Sequence, residues 1–337
     1  MALCYKRIYN TIDLVKFLAA FLVVAIHTRP FYTYTVIDYY FTCLCRVAVP
    51  FFFISTSFFF FSKETPDIKK YTKRLLTLYL VWFVIEIPFV YHRFFIAYDQ
   101  PLSLQILNFF RCLVFNNTWY ASWYIMACII GVNIIYWLSR KLNNEWLLAI
   151  GITGYIVSLL CSSYSGVFDL YLPEKILNYH TQFEYMFMPA NSFIVALLYV
   201  VLGKIVAERV KKEQLLSRHK NLTFLVIICL LFGVEVHILK SYVSFNDTFL
   251  FLPILVLCGF LLLLQTSIII SSETSLWLRN MSILIYILHP IFVVINSVLL
   301  GLSYGGGLFV ITLLESIIGC SLVIKVSNKV QVLKILY

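Results

Sequence analysis

Apolar residues dominate this chain in long blocks, and polar residues fall between the blocks rather than alternating with them. A helix that crosses a bilayer needs roughly 20 mostly apolar residues. Ten stretches meet that pattern, at about 11–31, 38–61, 75–97, 119–138, 145–164, 188–207, 221–240, 249–270, 281–300 and 307–325. The third is the least regular, because it contains Glu86, Pro88 and Arg93. The expected fold class is therefore an all-α polytopic membrane protein of about ten transmembrane helices. No Gly/Pro/Ser-rich linker divides it, so residues 1–337 read as a single integral-membrane domain. No internal repeat is visible. The first block is long enough to span and no small-residue cleavage site follows it, so a cleaved leader is not expected.

Composition agrees with the pattern. Of 337 residues, 61% are hydrophobic, 18% aromatic and only 12% charged, against about 25% charged in a soluble domain. Mean hydropathy is +0.90. A soluble enzyme, a disordered chain and a nucleic-acid-binding domain are excluded. The net charge of +10 sits in short runs between apolar blocks, the arrangement of cytoplasmic loops. With the N-terminus inside, 19 of the 26 Lys and Arg residues fall on the cytoplasmic side and 5 on the other. Both termini are thus expected in the cytoplasm. Nine cysteines, none with CxxC spacing, read as small packing residues. Two outer loops, 98–118 and 165–187, are long and rich in Tyr, Asn, Asp and Glu. Each is either a lid or a polar acceptor surface.

Ionisable groups inside apolar spans are costly and tend to mark function. The first span holds Asp13, Lys16 and His27. Lys16 and His27 are 11 residues apart, about 20° beyond three full turns and about 16 Å along the axis, so they share a face. Asp13 lies three residues before Lys16, near enough to pair with it. His27 is a satisfied buried histidine, an outer-interface residue or a functional group of the span. The second span holds Arg46, which pairs with an acid or binds phosphate, and Pro50, which should kink or break the helix. Ser55, Thr56 and Ser57 follow; they either bond back to the backbone or line a substrate path. Glu86, Glu235 and His237 read as structural partners. There is no GxSxG, HExxH, P-loop or GxGxxG signature, and no metal site is expected.

In order along the chain, several elements then resemble one family. Lys16-x10-His27 stands in IDLVKFLAAFLVVAIHT, PFFFISTSFF carries Thr56, Ser57 and Phe58, and KKYTKRLLTLYLVW carries Lys70, Lys73 and Arg74. WYASWYIMACIIG carries Trp123 and Tyr124, and SILIYILHPIF carries Tyr286 and His289. Together these resemble the integral-membrane acyltransferase family 3, over nearly the whole length. The nearest flavour is the membrane domain of VanT-type serine racemases, through VAIHT and RVAVPFFF, without the racemase domain. Lys16 stands where the family usually has Arg, and Ser57 where Gly is usual.

The resemblance implies about ten spans and acyl transfer, most often acetyl. The donor would be cytoplasmic acyl-CoA, a co-substrate rather than a resident cofactor. The acceptor would be a hydroxyl of a cell-surface or lipid-linked glycan or cell-wall component. It implies His27 as the catalytic residue and Lys16, Lys70, Lys73 and Arg74 as donor-binding charges. Site-lining candidates are Asp13, Arg46, Ser55, Thr56, Ser57, Trp123, Tyr124, Tyr286 and His289. His289 is expected off the catalytic face, with a structural effect on substitution. The alternative function is a small-molecule, serine-like transporter related to the VanT membrane domain, with Lys16 and His27 lining a path.

Overall fold

The computed structural model describes residues 9–97, 100–115, 122–215, 217–242 and 247–337. Among them the regular structure is helical. The α-helices are α1 Asn10–Thr28, α2 Thr35–Cys45, α3 Ala48–Phe61, α4 Ile68–Tyr91, α5 Leu102–Val114, α6 Ser122–Leu138 and α7 Asn144–Leu160. They continue with α8 Ser165–Asp169, α9 Glu174–Phe187, α10 Phe193–Lys211, α11 Arg218–Leu239, α12 Leu252–Leu264, α13 Ser272–Leu299 and α14 Gly306–Ser327.

Seven described helical stretches are long and apolar enough to cross a bilayer: Asn10–Thr28, Thr35–Phe61, Ile68–Ile96, Glu174–Lys211, Arg218–Leu239, Ser272–Leu299 and Gly306–Ser327. These contain seven of the ten expected spans. The other three correspond to the shorter apolar helices α6, α7 and α12, of 17, 17 and 13 residues. The expected start of the fourth span at 119 lies outside the described residues, as does Cys4. The third span runs through Glu86 and Pro88 and ends in a π-type turn at His92–Ile96.

The described residues of the two long loops expected outside are mostly helical, as α5 and as α8 and α9. Gln105, Asn108 and Arg111 recur every three residues, which puts one polar stripe on an otherwise apolar helix. That stripe meets α9. The hydroxyl of Tyr185 donates to Asn108 Oδ1 at 2.8 Å, Arg111 donates to the Tyr185 carbonyl, and its guanidinium lies 4.1 Å from the Tyr185 ring centre.

The helix break expected from Pro50 occurs just before it. α2 ends at Cys45 and α3 starts at Ala48, so Pro50 occupies the first turn of α3. A first-turn N–H has no intrahelical partner in any case, so the ring is tolerated there. α3 then packs along α10, and α10 along α6 and α7. Closeness is set by Gly203 on α10. A Cβ there would sit 2.5 Å from the Ile54 carbonyl and 2.7 Å from Ser57 Cβ. Ser57 also donates to the Val200 carbonyl at 2.6 Å. The small residue that lets two membrane helices touch is thus on α10, opposite the serine of α3.

This contact predicts a contrast between two glycines. Gly203→Ala should lower the thermal unfolding midpoint in detergent, at a cost of about 1–3 kcal/mol for forcing atoms into a packed contact. Gly259→Ala, where a Cβ meets nothing within 4 Å, should leave the midpoint unchanged or raise it, since alanine favours the helix. Equal behaviour of the two variants would contradict the packing described.

Candidate functional site

α1 and α13 run side by side and pack closely. At the start of α1, Asp13 is 2% exposed. Arg279 of α13 grips it with both arms of its fork, Nε to Oδ1 at 3.1 Å and Nη2 to Oδ2 at 2.7 Å. Ser275 Oγ donates to Oδ2 at 2.7 Å. Nearby, Thr11 donates to the Thr266 carbonyl at 2.7 Å and Asn10 to the Ile270 carbonyl at 3.0 Å. The expected Asp13–Lys16 pair is therefore corrected: the carboxylate goes to Arg279, and the Lys16 ammonium lies 4.9 Å from the Phe59 ring centre. A bidentate guanidinium matches a carboxylate better than a single ammonium does.

Toward the other end of the same two helices, His27 meets His289. Their ring centres are 5.1 Å apart and the planes are tilted by 39°. His289 is fully buried. Its Nδ1 is 2.9 Å from the Ile285 carbonyl, one turn back on its own helix. A carbonyl only accepts, so Nδ1 carries the hydrogen and Nε2 presents a lone pair. That Nε2 has no hydrogen-bond partner among the described residues. The expectation that His289 stands apart from His27 is corrected: the two side chains come from different helices and converge.

Between the two ends lies a cavity of about 130 Å³. Lys16, Arg74 and Arg279 stand on its wall, with Tyr337 beside them. Thr56, Tyr124, Cys128, Ser282 and Tyr286 supply the remaining polar atoms among Phe52, Leu75, Leu78, Ile125, Ile283 and Ile287. No carboxylate side chain lines it among the described residues. Thr56 Oγ1 and the Tyr124 hydroxyl are 2.9 Å apart. Tyr286 packs its ring 5.3 Å from Tyr124 and 5.8 Å from Phe52, and lies 6.4 Å from His289. Tyr286 thus separates the cationic cavity from the imidazole pair. Three cations on a partly apolar wall suit an anionic ligand with a long apolar arm.

The remaining candidates divide. Lys16, Arg74, Thr56, Tyr124 and Tyr286 converge on the cavity, and His27 and His289 on the pair beyond it. Lys70 and Lys73 do not join them. Both are exposed in the first turns of α4, where the Lys70 N–H caps onto Asp67 at 2.9 Å. Ser55 bonds back to the Phe52 carbonyl at 3.0 Å, so only Thr56 of the three hydroxyls lines the cavity. Arg46 pairs with Asp247 at 2.7 Å, and Asn191 holds the other carboxylate oxygen at 2.7 Å. Together with Trp123 these form a separate small pocket beside Ile26. Glu235 accepts from the Leu250 and Phe251 N–H groups and the Tyr164 hydroxyl, and His237 bonds Tyr40; both are structural. Sequence reasoning missed Arg279 as a cavity residue, because it stands in a basic loop position. Its spacing from Ser275, one helical turn, was the available signal.

A family profile for the acyltransferase domain matches residues 9–327. The chain belongs to that acyltransferase family. The resemblance carried by Lys16-x10-His27 and the elements after it is therefore borne out. Two proteins of Enterococcus faecalis named amino-acid racemase are similar to it. One is 29% identical over 303 residues, covering 86% of this chain and 42% of the relative. The other is 30% identical over 231 residues, covering 67% and 31%. A serine/alanine racemase of Enterococcus gallinarum is 24% identical over 291 residues, 83% of this chain and 40% of that protein. The acyltransferase-family chain thus spans less than half the length of these relatives. No solved structure matches it.

The Asp13 clamp predicts an asymmetry. The Asp13 side chain is 3% exposed and that of Arg279 51%. Arg279→Ala strands a buried carboxylate and should cost about 3 kcal/mol or more. Asp13→Ala leaves an arginine that can turn to solvent and should cost less. Thermal unfolding of both variants in detergent checks the order; the reverse order would show that the clamp is not the buried partner described.

Proposed function

We propose that this chain is a membrane acyltransferase that moves an acyl group from cytoplasmic acyl-CoA to a hydroxyl of a cell-surface or lipid-linked glycan or cell-wall component. The family match supports the acyltransferase class. The observation that carries the finer reading is the cavity whose wall bears Lys16, Arg74 and Arg279 and whose aromatic side, Tyr286, abuts the His27–His289 pair. Acyl-CoA is an anionic nucleotide with a thin arm ending in a thioester. The cations would hold phosphates, and the arm would follow α1 for the roughly 16 Å of helix rise between Lys16 and His27. Neutral imidazole at His27 would act at the thioester carbonyl, either as the base for the acceptor hydroxyl or as a transient acyl carrier.

In this reading the basic end of the bundle is cytoplasmic, both termini face it, and α6, α7 and α12 complete ten crossings of the bacterial cell membrane. The bias of Lys and Arg along the chain supports that orientation. Arg46, Asp247, Asn191 and Trp123 would then face the acceptor side. A second reading, a carrier of a small amino acid such as serine, draws only on the racemase names of the relatives.

The test is thiol release from acetyl-CoA by protein in lipid nanodiscs, with and without added envelope glycan. His27→Ala should lower turnover about 100-fold, the scale for losing a general base, without changing the unfolding midpoint. Arg74→Ala should raise KM for acetyl-CoA and leave kcat near the original, and added salt should raise KM as well, because exposed charges are screened. Lys70→Ala and Lys73→Ala should have smaller effects. Serine uptake into proteoliposomes without any thiol release would replace this reading with the carrier.

A further inference from the structure

The imidazole pair poses a problem that one histidine alone does not solve. His289 is fully buried, its Nδ1–H is committed to the Ile285 carbonyl, and its Nε2 lone pair has no partner among the described residues. An unsatisfied buried polar atom costs about 1–3 kcal/mol. A core position selected for packing alone would be better served by an apolar side chain. The ring of His27 lies 5.1 Å away, centre to centre. Both rings are beyond the aromatic wall of the cationic cavity, where a thioester carried past Tyr286 would arrive.

Resting on the acyltransferase reading, we propose that the two histidines divide the reaction: His27 carries the acyl group, and His289 is the base for the acceptor. In the first half, a ring nitrogen of His27 attacks the thioester carbonyl. The nitrogen–carbon bond forms, the carbon–sulfur bond breaks, and the proton lost from the His27 ring goes to the departing thiolate. The products are free CoA and a neutral acyl-imidazole. In the second half, the acceptor hydroxyl gives its proton to Nε2 of His289 while its oxygen bonds to the acyl carbon. The nitrogen–carbon bond breaks and its electron pair returns to His27. The His289 imidazolium then passes its proton to His27, which restores both rings.

This division explains three features together. An acylated His27 keeps a lone pair only on its second ring nitrogen, where the acyl group makes it a much weaker base, so a second base within reach of the same carbonyl is needed. The Nδ1–H bond to Ile285 fixes the tautomer that leaves Nε2 free to accept a proton. The ring-to-ring contact provides the short path for the final proton return. The scheme also allows donor and acceptor to come from opposite faces in turn, without both occupying the site.

The experiment uses the full chain in nanodiscs, acetyl-CoA labelled in the acetyl group, and glycerol as the model acceptor. Wild type should turn over repeatedly. His289→Ala and His289→Gln should release about one equivalent of CoA in a burst, retain the acetyl label on protein, and lose steady turnover about 100-fold. Hydroxylamine should remove that label, and added imidazole should restore turnover in His289→Ala but not in His289→Gln, where the side chain fills the space. His27→Ala should take no label. Equal thermal midpoints for wild type and His289→Gln separate this from a packing defect. If either His289 variant turns over like wild type, or takes no label when wild type does, the division of roles is overturned and the acyltransferase reading stands. If wild type releases no CoA and takes no label, that reading falls and this proposal with it.

Discussion

A buried carboxylate in an apolar helix must be matched, and the match found for Asp13 organises this molecule. Arg279 and Ser275 of α13 together saturate its two oxygens. That bond fixes the register of α1 against α13, because a slip of one residue would leave the charge without its fork. The consequence appears at the far end. His27 lies 14 residues beyond Asp13, and His289 lies 14 residues beyond Ser275. In two parallel helices each interval rises about 21 Å, so the two imidazoles arrive at the same height. Their contact at 5.1 Å follows from the clamp and needs no separate attraction between the rings.

The second organising contact frees α3 to line the site. Pro50 cannot donate to the carbonyl four residues back, and the chain accommodates it by ending α2 and restarting at Ala48. The restarted helix then leans on α10, where Gly203 admits it to a distance no side chain would allow. Ser57 spends its hydroxyl on the Val200 carbonyl in that seam, so the neighbouring Thr56 turns to the opposite side and meets Tyr124 in the cavity. The break, the glycine and the orientation of one threonine are consequences of a single packing solution.

The fold class was legible because apolar blocks of spanning length admit few other structures, and seven of the ten blocks form helices long enough to cross a bilayer. Lys16 and His27 were legible because both lie on one helix, where phase and rise follow from their spacing. What failed depended on neighbours. Asp13 was assigned to Lys16, its near neighbour in sequence, but a guanidinium from 266 residues away offers two bonds where the ammonium offers one point charge. Lys70, Lys73 and Arg74 looked equivalent in the basic run. Once α4 forms, Arg74, Leu75 and Leu78 make the stripe that faces the cavity, and the two lysines stand beside it in the exposed first turns. His289 was set apart for want of any signal linking α13 to α1; the link is Ser275 and Arg279, one turn apart, facing the only acid of the first helix.

The aromatic wall between the cations and the imidazoles bears on what the site can do. Phe52, Tyr124 and Tyr286 form edge and tilted contacts at 5.3 to 6.1 Å, one aromatic cluster on the side of the cavity nearest His289. Under the proposed reaction an aromatic barrier at that place would be useful. A thioester or an acyl-imidazole is consumed by any water that reaches it, so the reacting end must be dry until an acceptor arrives. In that reaction a pantetheine-like arm would be thin enough to pass by moving rings, and the phosphates it trails would be held by Lys16, Arg74 and Arg279 on the cavity side. The proposed charge recognition at Lys16 and acyl chemistry at His27 would then lie about three helical turns apart on one helix, α1. The same separation places Lys16 beside the Asp13 clamp and His27 beyond the aromatic cluster, so under the proposed reaction the donor's length, rather than either site alone, would set the stretch of helix between them.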